Sequence, residues 1–197
     1  MVVNRKLVFI RLAVSSLTLT LFTLSFGQTQ ENNRFSNVKI KNFGQMDQWF
    51  YRGAQPKEED YKNLAALGIK TVIDLRDDSE AYEKHGVEAA GMHYVNIPMD
   101  DKSYPKAEQV ESFLKLVDNP TTGPFYVHCA GGRHRTGVMG AVYRFTHDHW
   151  NYDQAYAEMK RYDFYTRWGH GPLKAFVEDY WAKVQGQRSS PLPAATQ

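Results

Sequence analysis

Short apolar, β-branched runs alternate along this chain with stretches whose apolar residues return every three or four positions. The first pattern marks strands buried in a sheet; the second marks one face of a helix. Strands are predicted over residues 38–43, 49–52, 70–75, 93–97 and 125–128. Helices are predicted to begin at Pro56, whose fixed φ suits a first turn, and near Ser79, Pro105, Thr136, Tyr152 and Pro172. Val110, Phe113, Leu114 and Val117 share one helical face, as do Tyr152, Ala155, Tyr156 and Met159. The last helix repeats most clearly, with Leu173, Phe176, Val177, Tyr180, Trp181 and Val184, and these aromatics read as core. Strands separated by helices imply an α/β fold, a single domain with a central, mostly parallel, twisted sheet flanked by helices. Ligands of such sheets bind beyond the carboxyl ends of the strands. That singles out the turns after Leu75, Ile97 and His128.

The 197 residues suffice for one domain with its own core. The domain is expected over residues 37–185, after a polar, flexible linker at 28–36 and before a disordered tail at 186–197 rich in Pro, Ser and Thr. Residues 1–27 carry a basic start (Arg5, Lys6), an apolar run over 12–26 and a small residue at Gly27, the pattern of a signal peptide cleaved after Gly27. The run falls short of the roughly 20 residues of a membrane span, so export to a periplasmic or extracellular location without stable membrane association is expected. The formal charge of +2 arises in that leader: without residues 1–27, 21 basic side chains face 22 acidic ones. A general nucleic-acid binder, which meets phosphates with a broad basic surface, is therefore not expected. The oligomeric state is left open. Cys129 is the single cysteine, which excludes an internal disulfide and makes its neighbours decisive.

Those neighbours are chemical. Val127, His128, Cys129, Ala130, Gly131, Gly132, Arg133, His134, Arg135, Thr136 and Gly137 run from a buried strand through a glycine turn into a helix. Such a turn aims consecutive amides at one point, and the helix adds its positive end, so residues 130–135 form an anion cradle. Arg135 can clamp two phosphate oxygens with its planar fork. A cysteine at the floor of this cradle is held as thiolate and becomes a nucleophile. Cys129, five intervening residues, Arg135, Thr136 and Gly137, preceded by His128, resemble the signature loop of the cysteine-dependent protein tyrosine and dual-specificity phosphatases. The stretches from Phe50 through Pro56 and from Gly68 through Arg76 resemble the opening elements of the compact atypical dual-specificity type. The resemblance implies a phosphotyrosine-phosphatase-like fold and phosphate-monoester hydrolysis through a phosphocysteine. The substrate would be a phosphorylated protein, carrying phosphotyrosine or phosphoserine/threonine, or a small phosphorylated molecule. By the same resemblance Cys129 is the nucleophile and Arg135 the phosphate clamp, His128 orients the cysteine, and Thr136 helps the thiolate leave. Ala130, Gly131, Gly132, Arg133, His134 and Arg135 bind phosphate.

Such a reaction needs a proton for the departing oxygen. The segment from Ile97 through Pro105 follows a predicted strand and resembles the family's acid loop; matched from Pro98, it makes Asp101 the acid. Asp100 stays a second candidate, and a pair capping the next helix is the structural alternative. Arg76 and Arg133 either meet further phosphates, as in relatives acting on inositol phosphates, or brace the loop through Asp74 or Glu80 and face solvent. Arg52, Glu80, Glu83 and His85 are pocket candidates or ordinary surface charge. His147, Asp148 and His149 are rejected as a metal site, because residues two apart on a helix face different ways. No metal and no cofactor is expected. A phosphate-binding module without turnover is the competing function.

Overall fold

The computed structural model describes residues 34–189. The expected signal peptide, most of the linker and residues 190–197 lie outside them. Residues 34–38 make a turn in which the Val38 amide donates to Phe35 O (3.0 Å), and a separate compact unit begins at Lys39. Its elements run β1 (Gly44–Gln45), β2 (Phe50–Ala54), α1 (Asp60–Ala66), β3 (Thr71–Arg76), α2 (Glu83–Ala89), β4 (His93–Met99), α3 (Ala107–Val117), a 3₁₀ turn (Pro120–Thr122), β5 (Phe125–Cys129), α4 (His134–Thr146), α5 (Tyr152–Arg161) and α6 (Gly171–Ser189). No helix among the described residues is long and apolar enough to cross a membrane.

The sheet has the order β1-β2-β5-β3-β4, with β2, β5, β3 and β4 parallel and only β1 antiparallel. Val72, Ile73 and Leu75 of β3 and Tyr126 and Val127 of β5 are wholly buried, as central strands covered on both faces require. Phe50, Phe113 and Phe125 pack with Tyr143 in one aromatic group, its ring centroids 5.0–6.2 Å apart where they meet. Each such ring contributes about 1.5–3 kcal/mol on leaving water. Helix α4 is buried from Arg135 through Phe145 and packs against α5, α6 and the sheet, so the segment after Cys129 is among the most firmly held in the molecule.

Several sequence boundaries are corrected. Residues 38–43 form no strand: Asn42 has φ 53°, a left-handed turn that breaks extended pairing, and the edge strand forms two residues later at Gly44–Gln45. Helix α1 starts at Asp60, not Pro56, because a turn closed by the Asp60 amide on Lys57 O (3.0 Å) comes first. Helix α2 starts at Glu83, Ser79 being spent on a bond to Arg76 O, whereas α4 starts two residues earlier than expected, at His134. Helix α5 begins at Tyr152 as predicted, with Asn151 and Gln154 exchanging side-chain and amide bonds of 2.9 and 3.0 Å. Helix α6 runs on through Ser189, past Gly186, so residues 186–189 are helix rather than tail.

Candidate active site

Ala54, Arg76, Met99 and Cys129 end the four parallel strands at one edge of the sheet, and Ala54 pairs directly with Cys129. The loop from Ala130 to Arg133 rises from this edge into α4. The carbonyls of Ala130, Gly131 and Gly132 are tied outward, while Arg133 O accepts from the Gly137 amide of α4 (3.1 Å). Ala130 O accepts from the Gln55 amide (3.3 Å), Gly131 O from Asn42 Nδ2 (2.8 Å) and Gly132 O from Arg52 Nη2 (2.7 Å). In a trans peptide C=O and N–H point oppositely. The amides of Gly131, Gly132 and Arg133 are therefore turned inward, which is how a short loop becomes an anion cradle.

Gly132 has φ +64°, and a Cβ there would stand 2.4 Å from the backbone C and O of Gly53. Glycine is required by backbone conformation and by close approach together. Gly132→Ala is expected to destabilise the protein by at least the ~1–3 kcal/mol of a strained left-handed residue. Thermal denaturation measures this, and an unchanged melting temperature would show that the loop does not depend on this contact.

Cys129 is 4% exposed. Burial alone would push its thiol up, yet its pKa is lowered overall. The Thr136 hydroxyl and amide, the Arg135 charge and the Arg133 amide together outweigh desolvation. The Thr136 hydroxyl is buried and lowers the thiol pKa from beside it, although it closes no well-aligned hydrogen bond. Arg52 adds a second cation beneath the loop. It is wholly buried with its guanidinium carbon 3.9 Å from the Tyr162 ring centroid, and its pKa is drawn down to about 10, chiefly by burial, so it remains charged at neutral pH. It supports the loop from below instead of lining the pocket.

Arg135 Nη1 donates to Asp77 Oδ1 (2.8 Å) and to Met99 O (2.9 Å). This presets the guanidinium through one nitrogen and leaves the others for a phosphate. Arg76 is occupied elsewhere, by Asp78 (3.0 Å), Glu80 (2.9 Å) and Gln55 Oε1 (2.9 Å), so of its two readings bracing stands, through Glu80. Gln55 Nε2 continues the network to Glu83 (2.7 Å). Glu83 Oε1 lies 2.9 Å from His128 Nε2, a close polar contact off the hydrogen-bonding line. His128 and Glu83 are thus inside the molecule, behind the loop, and His85 is exposed on α2. Asp74, Glu83 and His128 lie close enough to share a cation, but Asp74 already accepts from the Arg76 amide and Tyr94 and Glu83 from Gln55. His147, Asp148 and His149 turn to Asp118, Arg144 and Arg188 in turn.

The two acid candidates separate. Asp100 Oδ1 accepts from the amides of Lys102 (2.8 Å) and Ser103 (2.7 Å), and these bonds hold its carboxyl below the usual range, with Arg135 adding to them. The Asp101 carboxylate is half-buried and makes no hydrogen bond or ion pair among the described residues. Its carbonyl accepts from His170 Nδ1 (2.9 Å). His170 stacks on His134 of α4, ring centroids 3.7 Å apart. Burial, His170 and Arg133 hold His134 down to about 4, neutral at ordinary pH. The Arg133 side chain reaches Asp163 (3.7 Å) and lines a shallow basin of about 470 Å³ shared with Lys160, Arg167 and Trp168.

The sequence did not single out Asn42, Asp77 or His170. Asp77 alone carried a signal, lying just beyond one of the three strand ends where ligands bind.

Comparison with known proteins agrees with this geometry. The sequence profile of a family described as "DSP-PTPase phosphatase fused to NAD+ kinase" matches residues 28–168. The probable tyrosine-protein phosphatase DG1060 of Dictyostelium discoideum is 32% identical over 127 residues, 61% of this chain and 75% of that protein. The dual specificity protein phosphatase TpbA of Pseudomonas aeruginosa is 30% identical over 124 residues, 62% of this chain and 55% of that protein. Its crystal structure superposes with a TM-score of 0.64 at 26% identity, covering 77% of this chain and 91% of that one. The catalytic core of the PP-IP phosphatase SIW14 from S. cerevisiae shares the fold (TM-score 0.63, 21% identity, 79% and 98% covered). This chain belongs to the DSP-PTPase family so described, and it is a cysteine-dependent phosphatase of the dual-specificity/tyrosine type.

Proposed function

We propose that this protein hydrolyses phosphate monoesters on protein, phosphotyrosine first, through a phosphocysteine at Cys129. The observation that carries the reading is geometric: Cys129 lies buried at the foot of a loop whose amides turn inward, beside an Arg135 preset by Asp77 and Met99 O, and these surroundings lower its thiol pKa. Phosphate oxygens sit among the amides of residues 130–135 with Arg135 as clamp, and sulfur attacks phosphorus opposite the ester oxygen. Charge gathering on the equatorial oxygens meets dipoles already in place, so little reorganisation is needed. Asp101 protonates the departing oxygen and then takes a proton from water, which attacks the phosphocysteine; Thr136 steadies the sulfur as it leaves as thiolate. TpbA has been solved in complex with phosphotyrosine, which supports that substrate class.

A second reading, an inositol polyphosphate as substrate, is favoured by one observation. Arg133, Lys160 and Arg167 gather cations beside the cradle, where a further phosphate gains from them. The relative SIW14 is named an inositol diphosphatase. The leader pattern over 1–27 supports export, so the reaction would take place outside the cytoplasm. A panel of phosphotyrosine peptides, phosphoserine peptides and inositol polyphosphates tests the assignment, with vanadate as a mimic of the phosphoryl transition state. Vanadate-sensitive release of phosphate, fastest from phosphotyrosine, is expected. Binding of these ligands without turnover would make the cradle a recognition module instead.

A further inference from the structure

The acid loop between β4 and α3 is anchored at both ends: Arg135 holds Met99 O, and Tyr104 donates to Asp179 of α6 (3.0 Å). Between these anchors the Asp100 carboxylate shapes the turn from within but docks it against nothing. The contact that reaches across at the proposed acid itself is His170 Nδ1 on the Asp101 carbonyl. A carbonyl only accepts, so Nδ1 carries the proton.

His170 is 6% exposed, and its position has a backbone cost. Trp168 (φ 58°) and Gly169 (φ 95°) take consecutive left-handed conformations just before α6. A bulky residue tolerates this only where the surroundings enforce it, and such outliers gather at functional sites. The bend sends Trp168 out to solvent, 71% exposed, and turns His170 inward. There its ring lies within 16° of parallel to His134, which is further held by the Tyr165 backbone and by ring edges of Tyr165 (4.4 Å) and Phe164 (5.4 Å). His134 is the first residue of α4, between Arg133, which ends the phosphate loop, and the clamp Arg135. A continuous chain of contacts therefore links the phosphate cradle, through His134 and His170, to the backbone of Asp101.

We propose that His170 is a positioning residue for proton transfer: stacked on His134 beside the phosphate loop, it fixes where the Asp101 backbone stands relative to Cys129. The inference rests on the reading of Asp101 as the acid. Because the Asp101 carboxylate has no partner of its own among the described residues, its placement depends on its backbone, and the His170 bond grips that backbone at the residue concerned. The pair belongs to different elements, one the cradle and one the entry to α6, so it also makes cradle and acid move together.

The test compares leaving groups. Phenoxide needs a proton as it departs, whereas dinitrophenoxide leaves as an anion, so only the first reports the acid. His170→Phe keeps a ring in the stack but removes the donor. It is expected to lower kcat/KM for phenyl phosphate about tenfold or more while changing dinitrophenyl phosphate by less than about twofold. His170→Asn, which returns an N–H near the place of Nδ1, is expected to recover most of the loss. An equal fall on both substrates, no fall on either, or no recovery with asparagine would each overturn the proposal; should the phenylalanine variant not fold, His170→Ala is read in the same way. Asp101→Asn in parallel separates the two levels of the claim. If it does not discriminate between leaving groups, the acid assignment falls and this inference with it; if it does and His170→Phe does not, only the positioning role falls.

Discussion

Cys129→Ser is expected to reduce phosphate-ester hydrolysis by roughly 10⁴-fold or more while leaving the fold intact, since nucleophile replacement removes the covalent route altogether. The physical reason is the difference between two acids in one environment. The Thr136 hydroxyl and amide, the Arg135 charge and the Arg133 amide overcome the burial of the sulfur and lower a thiol pKa that starts within reach of neutrality. A hydroxyl starts far above it, and the same dipoles do not bring it down enough. The smaller serine keeps the cradle, because the carbonyls of residues 130–132 remain tied to Gln55, Asn42 and Arg52. The variant should therefore still bind a phosphotyrosine peptide, which calorimetry can measure, and turnover assays on the same preparation give the loss. As Cys129 is the only cysteine, alkylation by iodoacetate reports its ionisation directly. Reaction should persist below the ordinary thiol range and slow as pH falls through the lowered pKa. Wild-type-like turnover in Cys129→Ser would remove the phosphocysteine from the mechanism.

How much of this was legible beforehand depended on the range of the interaction. The sheet strands announced themselves because Val72, Ile73, Leu75, Tyr126 and Val127 are apolar where both faces are covered. The cradle was legible for the same local reason: Cys129, Gly132, Arg135 and Thr136 are consecutive or nearly so, and one backbone path brings them together. What failed to show was long-range. Asn42 lies 89 residues from its partner Gly131, Asp77 lies 58 from Arg135, and His170 lies 69 from the Asp101 carbonyl. Each is a polar residue in a turn, a setting in which most polar residues simply face water. The missed first strand has a similar origin. Residues 38–43 carry a β-like pattern, but Asn42 is spent on supporting the phosphate loop, and the left-handed turn this entails overrides local preference. The ambiguity between Asp100 and Asp101 could not be settled by spacing, since both side chains follow β4 at its ligand-bearing end; the amide bonds that tie up the Asp100 carboxylate are what support the proposal of Asp101.

That separation gives the second large effect. Asp101→Asn is expected to lower kcat/KM on phenyl phosphate by about 10²–10⁴-fold, the usual contribution of a positioned general acid. Asp100→Asn is expected to stay within about threefold, because an asparagine Oδ1 can still accept from the Lys102 and Ser103 amides that shape the turn. The electrostatics point the same way. Bonds to those amides, reinforced by Arg135, hold the Asp100 carboxyl below its ordinary range, which leaves it ionised and without a proton to give near neutral pH. The Asp101 carboxylate makes no such bonds among the described residues, so nothing ties it into the turn and it stays available to the departing oxygen. Reversal of the two variants, with Asp100→Asn the damaging one, would transfer the proton to Asp100 and show that substrate binding opens the turn that now holds its carboxylate.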